Sequence, residues 1–390
     1  MSSIKKVLYV SGSRAEYGIV KRLLTKLNSN EHIDLTIVVT GMHCESKFGN
    51  TWKTIENDGF YIDEKFPLNI NTSSNSKIIE SMSLCLNSFG NYFSKKYFDA
   101  VIILGDRYEI FSVAIAAAMN NLRIIHIHGG EKTLGNYDEF IRHSITKMSY
   151  LHLASTEEYK KRIIQMGENP ERVFDVGSLG AENAFEMKLP DIEYLKSELK
   201  IGFRPYFVVV FHPETLNGNK NITKQTTEIL NALELNIEKY DFIFIGSNSD
   251  TGSNKITDLI NKFCEKYKQK HFKSIRPEEY LLLMKESKGI LGNSSSGIIE
   301  APSFKIPTLN IGDRQKGRVR GNSVIDVTCD CKKIDLGIKY ITSQQFHQDV
   351  PKIVNPYFKE GVLNNMIKII SDFLKEDNKD NKDFHDIKFL

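Results

Sequence analysis

Three acidic residues follow short apolar runs of the chain. Asp106 comes directly after VIILG, Glu131 follows HIHGG, and Asp138 lies seven residues further on in GNYDEF. The two glycines before Glu131 free the backbone for close approach to a ligand. Carboxylates that share a cleft can be tuned to different pKa values, so that one takes a proton and another gives it. The pattern predicts acid–base chemistry, although Asp138 could instead only complement the dipole of a helix.

A serine-rich segment, GNSSSGIIEAPSF at residues 292–304, could bind phosphate. It follows a predicted strand, turns on small residues, and predicts a helix that begins near Gly297. Backbone N–H groups at a helix N-terminus, with hydroxyl groups beside them, bind anions. Ser294 and Ser295 would then bond to the oxygens of a diphosphate, and Glu300 would accept from ribose hydroxyls. A serine that only caps the helix is the alternative interpretation.

Basic side chains also follow predicted strands. The loop GDRQKGRVRG, residues 312–321, carries four cations: Arg314, Lys316, Arg318 and Arg320. A guanidinium group suits bidentate contact with phosphate. Arg14 lies at the first strand-to-helix turn, and His212 follows the run YFVVVF. These residues predict phosphate contacts, against the alternatives of a solvated loop, a surface arginine and a structural histidine.

Apolar, β-branched runs alternate with amphipathic stretches along the chain. The predicted strands cover residues 5–12, 35–41, 100–106, 123–131, 151–155, 172–178, 206–213, 242–248, 289–296 and 307–312. Apolar residues at helical spacing predict helices at residues 18–29, 112–119 and 364–377. A polar stretch with a proline, residues 181–200, separates two similar halves. This organisation predicts an α/β protein with two doubly wound, Rossmann-like domains and parallel sheets.

Ligands of such sheets bind at the carboxyl ends of the strands. The polar residues of interest follow predicted strands in six places: residues 11–14, 105–107, 128–131, 212, 246–250 and 293–296. Arg107, Ser247 and Asn293 are therefore expected to contact the substrate together with the residues above. The substrate would lie in the cleft between the two halves.

Composition and motifs exclude several classes of protein. The chain has 390 residues and a net charge of only +3, which does not indicate a nucleic-acid or membrane surface. It shows neither a signal-peptide core nor about 18 consecutive apolar residues. Five scattered cysteines predict reduced thiols and a cytoplasmic location. The sequence contains no P-loop motif and no G-x-G-x-x-G dinucleotide motif. His126 and His128 would share a face of a strand, but no zinc-binding motif accompanies them.

Several segments of the chain resemble one enzyme family. They are SGSRAEYG, TGMHCES, LGDRYE, HIHGGEKTLGNYDEFIRHSITKMS, FHPET, GSNSDTGS, GNSSSG and NIGDRQKGR. These segments are similar to those of the UDP-N-acetylglucosamine 2-epimerases, and most similar to the hydrolysing branch that feeds bacterial sialic acid and capsule synthesis. The resemblance covers nearly the whole chain. It implies the glycosyltransferase-B type of fold, with domains at residues 1–185 and 186–362 and a last helix and tail, 363–390, that return to the first domain.

The resemblance also implies roles for individual residues. It assigns nucleotide binding to Arg14, His212, Ser294, Ser295, Glu300 and Arg314. Tyr280 would stack on uracil, and Asp106, Glu131 and Asp138 match the essential acids of the family. The family uses no metal and no redox cofactor, and its members form homodimers.

The implied reaction is the anti elimination of UDP from UDP-N-acetylglucosamine to a glycal, followed by hydration to N-acetylmannosamine. Arg14, Arg314 and His212 would stabilise the departing diphosphate. Either Asp106 or Asp138 would take the proton from C2, and Glu131 would help to return one. The alternatives are a UDP-2,4-diacetamido-trideoxy sugar of legionaminic acid synthesis, a GDP-linked sugar, a non-hydrolysing epimerase, a glycosyltransferase of the same fold, and a UDP-sugar sensor.

Overall fold

The computed structural model describes residues 4–214, 221–246, 250–376 and 381–387. Within these ranges the strands are β1 (Lys5–Ser11), β2 (Ile33–Thr40), β3 (Ile62–Phe66), β4 (Ala100–Leu104), β5 (Ile124–Ile127), β6 (Leu151–Ala154), β7 (Val173–Asp175), β8 (Tyr206–Val210), β9 (Asp241–Ile245), β10 (Lys270–Phe272), β11 (Ile290–Gly292), β12 (Thr308–Ile311) and β13 (Val324–Val327). The α-helices are α1 (Arg14–Asn28), α2 (Trp52–Asn57), α3 (Asn75–Phe93), α4 (Tyr108–Met119), α5 (Asp138–Met148), α6 (Glu157–Gln165), α7 (Leu179–Glu186), α8 (Ile192–Glu198), α9 (Ile222–Glu234), α10 (Ser253–Tyr267), α11 (Pro277–Lys285), α12 (Ser296–Ile299), α13 (Cys331–Ile341), α14 (Gln344–Asp349) and α15 (Val362–Lys375). None of these described helices has the length and apolar character needed to span a bilayer.

The strands form two parallel sheets. The first has the order β3-β2-β1-β4-β5-β6-β7, and the second has the order β10-β9-β8-β11-β12-β13. Their central strands are completely buried, as in AVIIL of β4 and YFVVV of β8, because helices cover both faces. In both sheets the strand order reverses beside the first strand of the unit, and this reversal opens a crevice for a ligand.

Helix α15 connects the end of the chain to the first sheet. Its apolar face joins the core of that sheet through Val362, Leu363, Met366, Ile370, Phe373 and Leu374. The buried carboxylate of Glu182, on α7, accepts the backbone N–H of Leu363 and pairs with Arg22 of α1 at 3.1 Å. The last helix therefore packs against the N-terminal half, beside the segment that crosses between the sheets.

Helix α1 begins earlier than its apolar spacing predicts. The Ser13 hydroxyl accepts the backbone N–H of Glu16, and the Glu16 carboxylate accepts those of Gly12 and Ser13 at 2.9 and 3.0 Å. This capping box starts the helix at Arg14 rather than at residue 18. Arg14 therefore lies in the first turn of a helix, held at the carboxyl end of β1.

Three strands, β3, β10 and β13, were not predicted from the sequence. Each lies at an edge of its sheet. Edge strands bury less of their surface, so their sequences, IDEKF, KHF and VIDV, lack the continuous apolar runs of the central strands. The strand predicted at residues 289–296 is also shorter, because β11 covers only Ile290–Gly292.

The two halves meet across the cleft through hydrogen bonds from their loops. The backbone N–H of Gly252 donates to the carbonyl of Thr72 at 3.1 Å. The N–H of Leu134 donates to the carbonyl of Lys316 at 3.0 Å. These contacts hold the loops at the strand ends of one sheet against those of the other, and they enclose the space between them.

Candidate active site

A cavity of about 260 Å³ lies between the carboxyl ends of the two sheets. Of the predicted site residues, those that line it are Arg14, Asp106, Arg107, Glu131, Asp138, His212, Tyr280, Ser294, Ser295, Glu300 and Arg314. Ser247 lies outside the described residues. Asn293 does not line the cavity and is completely buried beneath it. The structure thus gathers residues from eight separate segments at one place, although their roles remain predictions.

Asp106, after β4, is held by an ion pair. Its carboxylate accepts a hydrogen bond from the guanidinium group of Arg142, which is completely buried on α5. Arg142 also donates to the carbonyl of Glu131 at 2.8 Å and to the hydroxyl of Thr133 at 3.0 Å. Burial raises the pKa of Asp106, but the positive charges of Arg142 and Arg318 outweigh burial and hold that pKa below its ordinary range. Asp106 is therefore ionised and fixed in position.

Asp138, the first residue of α5, has the opposite character. Burial and the negative charges of Asp106 and Asp250 raise the pKa of Asp138 to about 6. Arg314 lies 3.7 Å from the Asp138 carboxylate, and the Asn136 amide donates a hydrogen bond to it at 2.8 Å. Both contacts oppose the rise in the pKa of Asp138. The pKa values of Asp106 and Asp138 are therefore shifted in opposite directions from the ordinary value. Asp106 stays ionised, and Asp138 can exchange a proton near neutral pH.

Glu131 joins the two halves of the molecule. One carboxylate oxygen lies 2.6 Å from a guanidinium nitrogen of Arg318, in the loop after β12. The other oxygen accepts the hydroxyl hydrogen of Ser155 at 3.1 Å. The Glu131 side chain is almost completely buried, with 2% exposed. Its carboxyl group therefore contacts one cation and one hydroxyl group at the wall of the cavity.

Asn293 positions a loop rather than a ligand. Its side-chain oxygen accepts the backbone N–H of His212 at 2.7 Å, and its amide donates to the carbonyl of the same residue at 2.9 Å. Its own carbonyl accepts from Arg314 at 3.2 Å. Burial, together with Arg314 and Arg107, holds the pKa of His212 well below its ordinary value, so the imidazole is neutral at pH 7. Asn293 therefore fixes two residues that line the cavity.

The helix of the serine-rich segment begins close to its predicted position, but it is short. Helix α12 has only four residues, Ser296–Ile299, and a 3-10 turn, Ala301–Phe304, follows it. One turn adds few aligned peptide dipoles, so the macrodipole gives little to an anion there. The hydroxyl groups remain close together: those of Ser294 and Ser296 are 2.9 Å apart, and the Tyr280 hydroxyl lies 2.5 Å from Ser296. Hydroxyl groups and arginines, more than a dipole, are available to bind an anion.

Glu300 lies at the floor of the cavity against a glycine. Burial raises the pKa of Glu300 to about 7, although its own backbone N–H and Arg318 oppose that rise. A Cβ atom at Gly180, on α7, would lie 2.3 Å from a carboxylate oxygen of Glu300. Only glycine therefore allows α7 to approach this carboxylate without displacing it.

The cavity also contains residues that were given no individual role from the sequence. They are His128, Thr133, Gly180, Asn183, Asp250, Gln315 and Arg318. Most belong to the motifs already quoted, and Arg318 belongs to the basic loop. Gly180 and Asn183 come from the crossing helix α7, for which no pattern indicated a contact with the cavity.

The two histidines of HIHGG do not share a face. His126, at the third position of β5, is completely buried and its ring nitrogens lie 2.9 Å from the carbonyl of Gly105 and 3.2 Å from the Thr146 hydroxyl. His128 follows the strand with φ of 65°, so the alternation of a strand no longer applies to it. Within the described ranges, no group of three metal-binding side chains is arranged to hold an ion.

Two parallel-sheet α/β domains, with a cavity between their strand ends, define the glycosyltransferase-B type of fold. The chain belongs to the UDP-N-acetylglucosamine 2-epimerase family, whose model matches residues 25–371. It is therefore an enzyme of this family, and the family predicted from its motifs is confirmed.

Individual relatives agree with this assignment. The chain is 58% identical to "Polysialic acid biosynthesis protein P7" of Escherichia coli, over 98% of each chain. It is 37% identical to "GDP/UDP-N,N'-diacetylbacillosamine 2-epimerase (hydrolyzing)" of Campylobacter jejuni, over 89% of this chain and 90% of the relative. The crystal structure of the Methanocaldococcus jannaschii UDP-GlcNAc 2-epimerase in complex with UDP-GlcNAc and UDP has a TM-score of 0.76, with 19% identity, over 94% of this chain and 99% of that one. At that identity the structural likeness shows the fold alone.

Proposed function

We propose that the chain is a hydrolysing UDP-N-acetylglucosamine 2-epimerase, which releases UDP and N-acetylmannosamine for sialic acid synthesis. One observation carries the proposal. Two carboxylates with pKa values displaced in opposite directions, those of Asp106 and Asp138, line the same cavity as Arg14 and Arg314. Elimination of a diphosphate needs a base for a carbon-bound proton and cations for the leaving group, and this cavity offers both.

The first half of the reaction assigns different work to the two aspartates. In an α-linked sugar nucleotide the C1–O and C2–H bonds are antiperiplanar, which suits anti elimination to a glycal. Asp138, with its pKa raised to about 6, is matched to accept the C2 proton near neutral pH. Asp106, paired with Arg142 and lowered in pKa, is a weaker base. We therefore assign the base to Asp138 and the electrostatic support of the positive charge that develops on the sugar to Asp106.

Departure of the diphosphate is the main electrostatic requirement. The C2 proton is not beside a carbonyl group, so it becomes acidic only as the C1–O bond stretches and positive charge develops on the sugar. Arg14, whose pKa burial lowers to about 10, still carries its charge at pH 7. Arg14, Arg314 and the neutral His212 would bind the phosphate oxygens, with Ser294 and Ser295 as further donors. Fixed cations in a buried cavity stabilise the leaving group more strongly than water does.

The second half of the reaction hydrates the glycal. Water adds at C1 while a proton reaches C2 from the face opposite to the one that lost it, which inverts that carbon. Glu131 comes from the loop after β5 and Asp138 from the first turn of α5, and both line the cavity. We assign the return of the C2 proton to Glu131, which Arg318 holds in position at 2.6 Å.

The relatives support the hydrolysing reaction and its pathway. The 37% identical relative is described by name as hydrolysing, and the 58% identical relative as a polysialic acid biosynthesis protein. Sialic acid synthesis requires free N-acetylmannosamine, which only the hydrolysing reaction releases. We include a cytoplasmic location and a homodimer in the proposal. The five unpaired cysteines agree with a reducing compartment.

A second candidate substrate follows from the Campylobacter jejuni relative. Its name specifies GDP- or UDP-linked N,N'-diacetylbacillosamine, a sugar with a second acetamido group. The same acids and cations would serve this substrate, because the reaction at C1 and C2 is unchanged. A direct comparison of turnover on the two sugar nucleotides distinguishes the candidates.

A proton NMR time course in heavy water tests the proposed function. Purified enzyme with UDP-N-acetylglucosamine and EDTA should give UDP and N-acetylmannosamine that carries deuterium at C2. Asp138→Asn should lower turnover by about 10²–10⁴-fold, the usual contribution of a positioned base. Asp372→Asn, which changes an exposed aspartate on α15, is the matched control and should leave turnover unchanged. Release of N-acetylglucosamine with its C2 proton intact would overturn the epimerase proposal.

A further inference from the structure

His128 occupies an unusual position in the cavity wall. It follows β5 immediately, and its φ of 65° places a residue with a Cβ atom in the left-handed region. Histidine adopts this conformation more readily than most residues, but the conformation still costs free energy relative to glycine. The next two residues are Gly129 and Gly130, so the sequence could bend here without any strain at position 128. Position 128 therefore carries a histidine although its backbone conformation favours glycine.

The imidazole of His128 is buried and incompletely bonded. It lines the cavity, with 6% of the residue exposed. Its Nδ1 atom lies 4.0 Å from a carboxylate oxygen of Glu131, and its Nε2 atom has no hydrogen-bond partner among the described residues. Burying a polar nitrogen without a partner destabilises the fold. His126, two residues earlier, has partners for both ring nitrogens.

The charges around His128 keep the imidazole available as a base. Burial lowers the pKa of His128, and Arg318 and Arg142 lower it further, while Glu131 and Asp106 oppose them. The net direction is downward, so the ring is neutral at pH 7. A neutral imidazole with one ring nitrogen toward a carboxylate can take a proton on the other nitrogen.

We propose that Nε2 of His128 is the base that deprotonates the water molecule adding to C1 of the glycal. This proposal rests on the proposed function. At the start of this step Glu131 holds a proton taken from the solvent. As the water oxygen bonds to C1, one water proton passes to Nε2, and the C1–C2 double bond takes a proton at C2 from the Glu131 carboxyl group, which is left as the carboxylate. The sugar gains the elements of one water molecule. Proton transfer from Nδ1 of the imidazolium to the Glu131 carboxylate restores the acid and leaves the ring proton on Nε2. Release of that proton to water, with uptake of one at Nδ1, then frees Nε2 for the next turnover.

The assignment separates His128 from the elimination step. UDP departs before water adds, so loss of His128 leaves the cations and Asp138 able to form the glycal. The expected signature is release of UDP with accumulation of 2-acetamidoglucal, rather than a uniform loss of activity. A residue that only supported the fold would slow both halves of the reaction together.

The test uses His128→Asn and His128→Gly, because asparagine and glycine both tolerate the left-handed backbone. Wild-type enzyme and both variants are incubated with UDP-N-acetylglucosamine, and UDP, the glycal and N-acetylmannosamine are followed by proton NMR. We expect UDP release within about threefold of wild type, and at least about 100-fold slower formation of N-acetylmannosamine, with glycal in excess. Added imidazole should restore N-acetylmannosamine formation in His128→Gly, whose missing ring leaves space, and not in His128→Asn.

The outcomes distinguish this proposal from the proposed function. If wild-type enzyme releases no N-acetylmannosamine, the proposed function fails. If wild-type enzyme does release it, and a variant forms N-acetylmannosamine at the wild-type rate, His128 is not the base. Equal loss of UDP release and N-acetylmannosamine formation, without imidazole rescue, would likewise overturn the assignment to the hydration step.

Discussion

Burial of Asp138, which raises its pKa, should also lower the free energy of unfolding of the protein at neutral pH. The pKa of the Asp138 carboxyl group rises from 3.8 to about 6 on folding. At a pH above both values, this rise lowers the free energy of unfolding by about 3 kcal/mol. The sign follows from proton binding. The folded state holds this proton more tightly than the unfolded state, so stability falls as pH rises from about 4 to about 6. At pH 5 about half of the cost applies, and at pH 8 all of it does.

Asp138→Asn removes the charge while keeping the shape, and its oxygen can still accept from the Asn136 amide. We expect the melting temperature to rise by roughly 5–10 °C at pH 8 and by about half as much at pH 5, from the usual 2–4 °C per kcal/mol for a unit of this size. Differential scanning calorimetry of the wild type, Asp138→Asn and the exposed control Asp372→Asn measures this rise. An equal rise at both pH values, or a fall at pH 8, would refute burial of a charged Asp138 as the source of the cost.

Two further predictions concern activity. With Asp138 as base, kcat should fall about tenfold per pH unit below about pH 6. Asp250→Asn removes a negative charge that raises the pKa of Asp138, so the fall in kcat should move to lower pH by less than about one unit. An unmoved pH profile in Asp250→Asn would contradict this. Gly180→Ala places a Cβ atom 2.3 Å from the Glu300 carboxylate, so the KM for UDP-N-acetylglucosamine should rise at least about tenfold. Gly90→Ala, whose Cβ atom meets nothing within 4 Å, is the matched control, and an unchanged KM in both variants would contradict the close approach.

The sequence predicts the central parts of the fold because burial marks them strongly. AVIIL and YFVVV are continuous apolar runs that end in polar residues, and both become central strands with site residues after them. The edge strands carry no such mark, because half of their surface faces solvent. For the helix that begins at Ser296 only the start was predicted from the sequence; Pro302 limits it to one turn.

The pairings within the site could not be predicted from the sequence. Arg142 lies 36 residues from Asp106, and only the neighbouring positions of β4 and α5 bring them together. Asn293 looked like a ligand-binding residue because it follows a strand, but its side chain turns inward to bond the backbone of His212. Position after a strand therefore indicates which residues lie near the cavity, while the direction of each side chain depends on tertiary contacts.

Two arginines of the second half, Arg314 and Arg318, lie beside acids of the first half, and these contacts link the arrangement of the two halves to the chemistry. Arg314 lies 3.7 Å from Asp138, and Arg318 lies 2.6 Å from Glu131, each across the cleft. These arginines also lower the pKa of Asp106. Opening of the cleft would remove both cations, so the pKa values of Asp106 and Asp138 would rise and the diphosphate would lose Arg314. We infer that the charge states of Asp106 and Asp138 depend on contact between the basic loop, residues 312–321, and the first half, so that proton transfer is coupled to the position of Arg314, which would hold the leaving group.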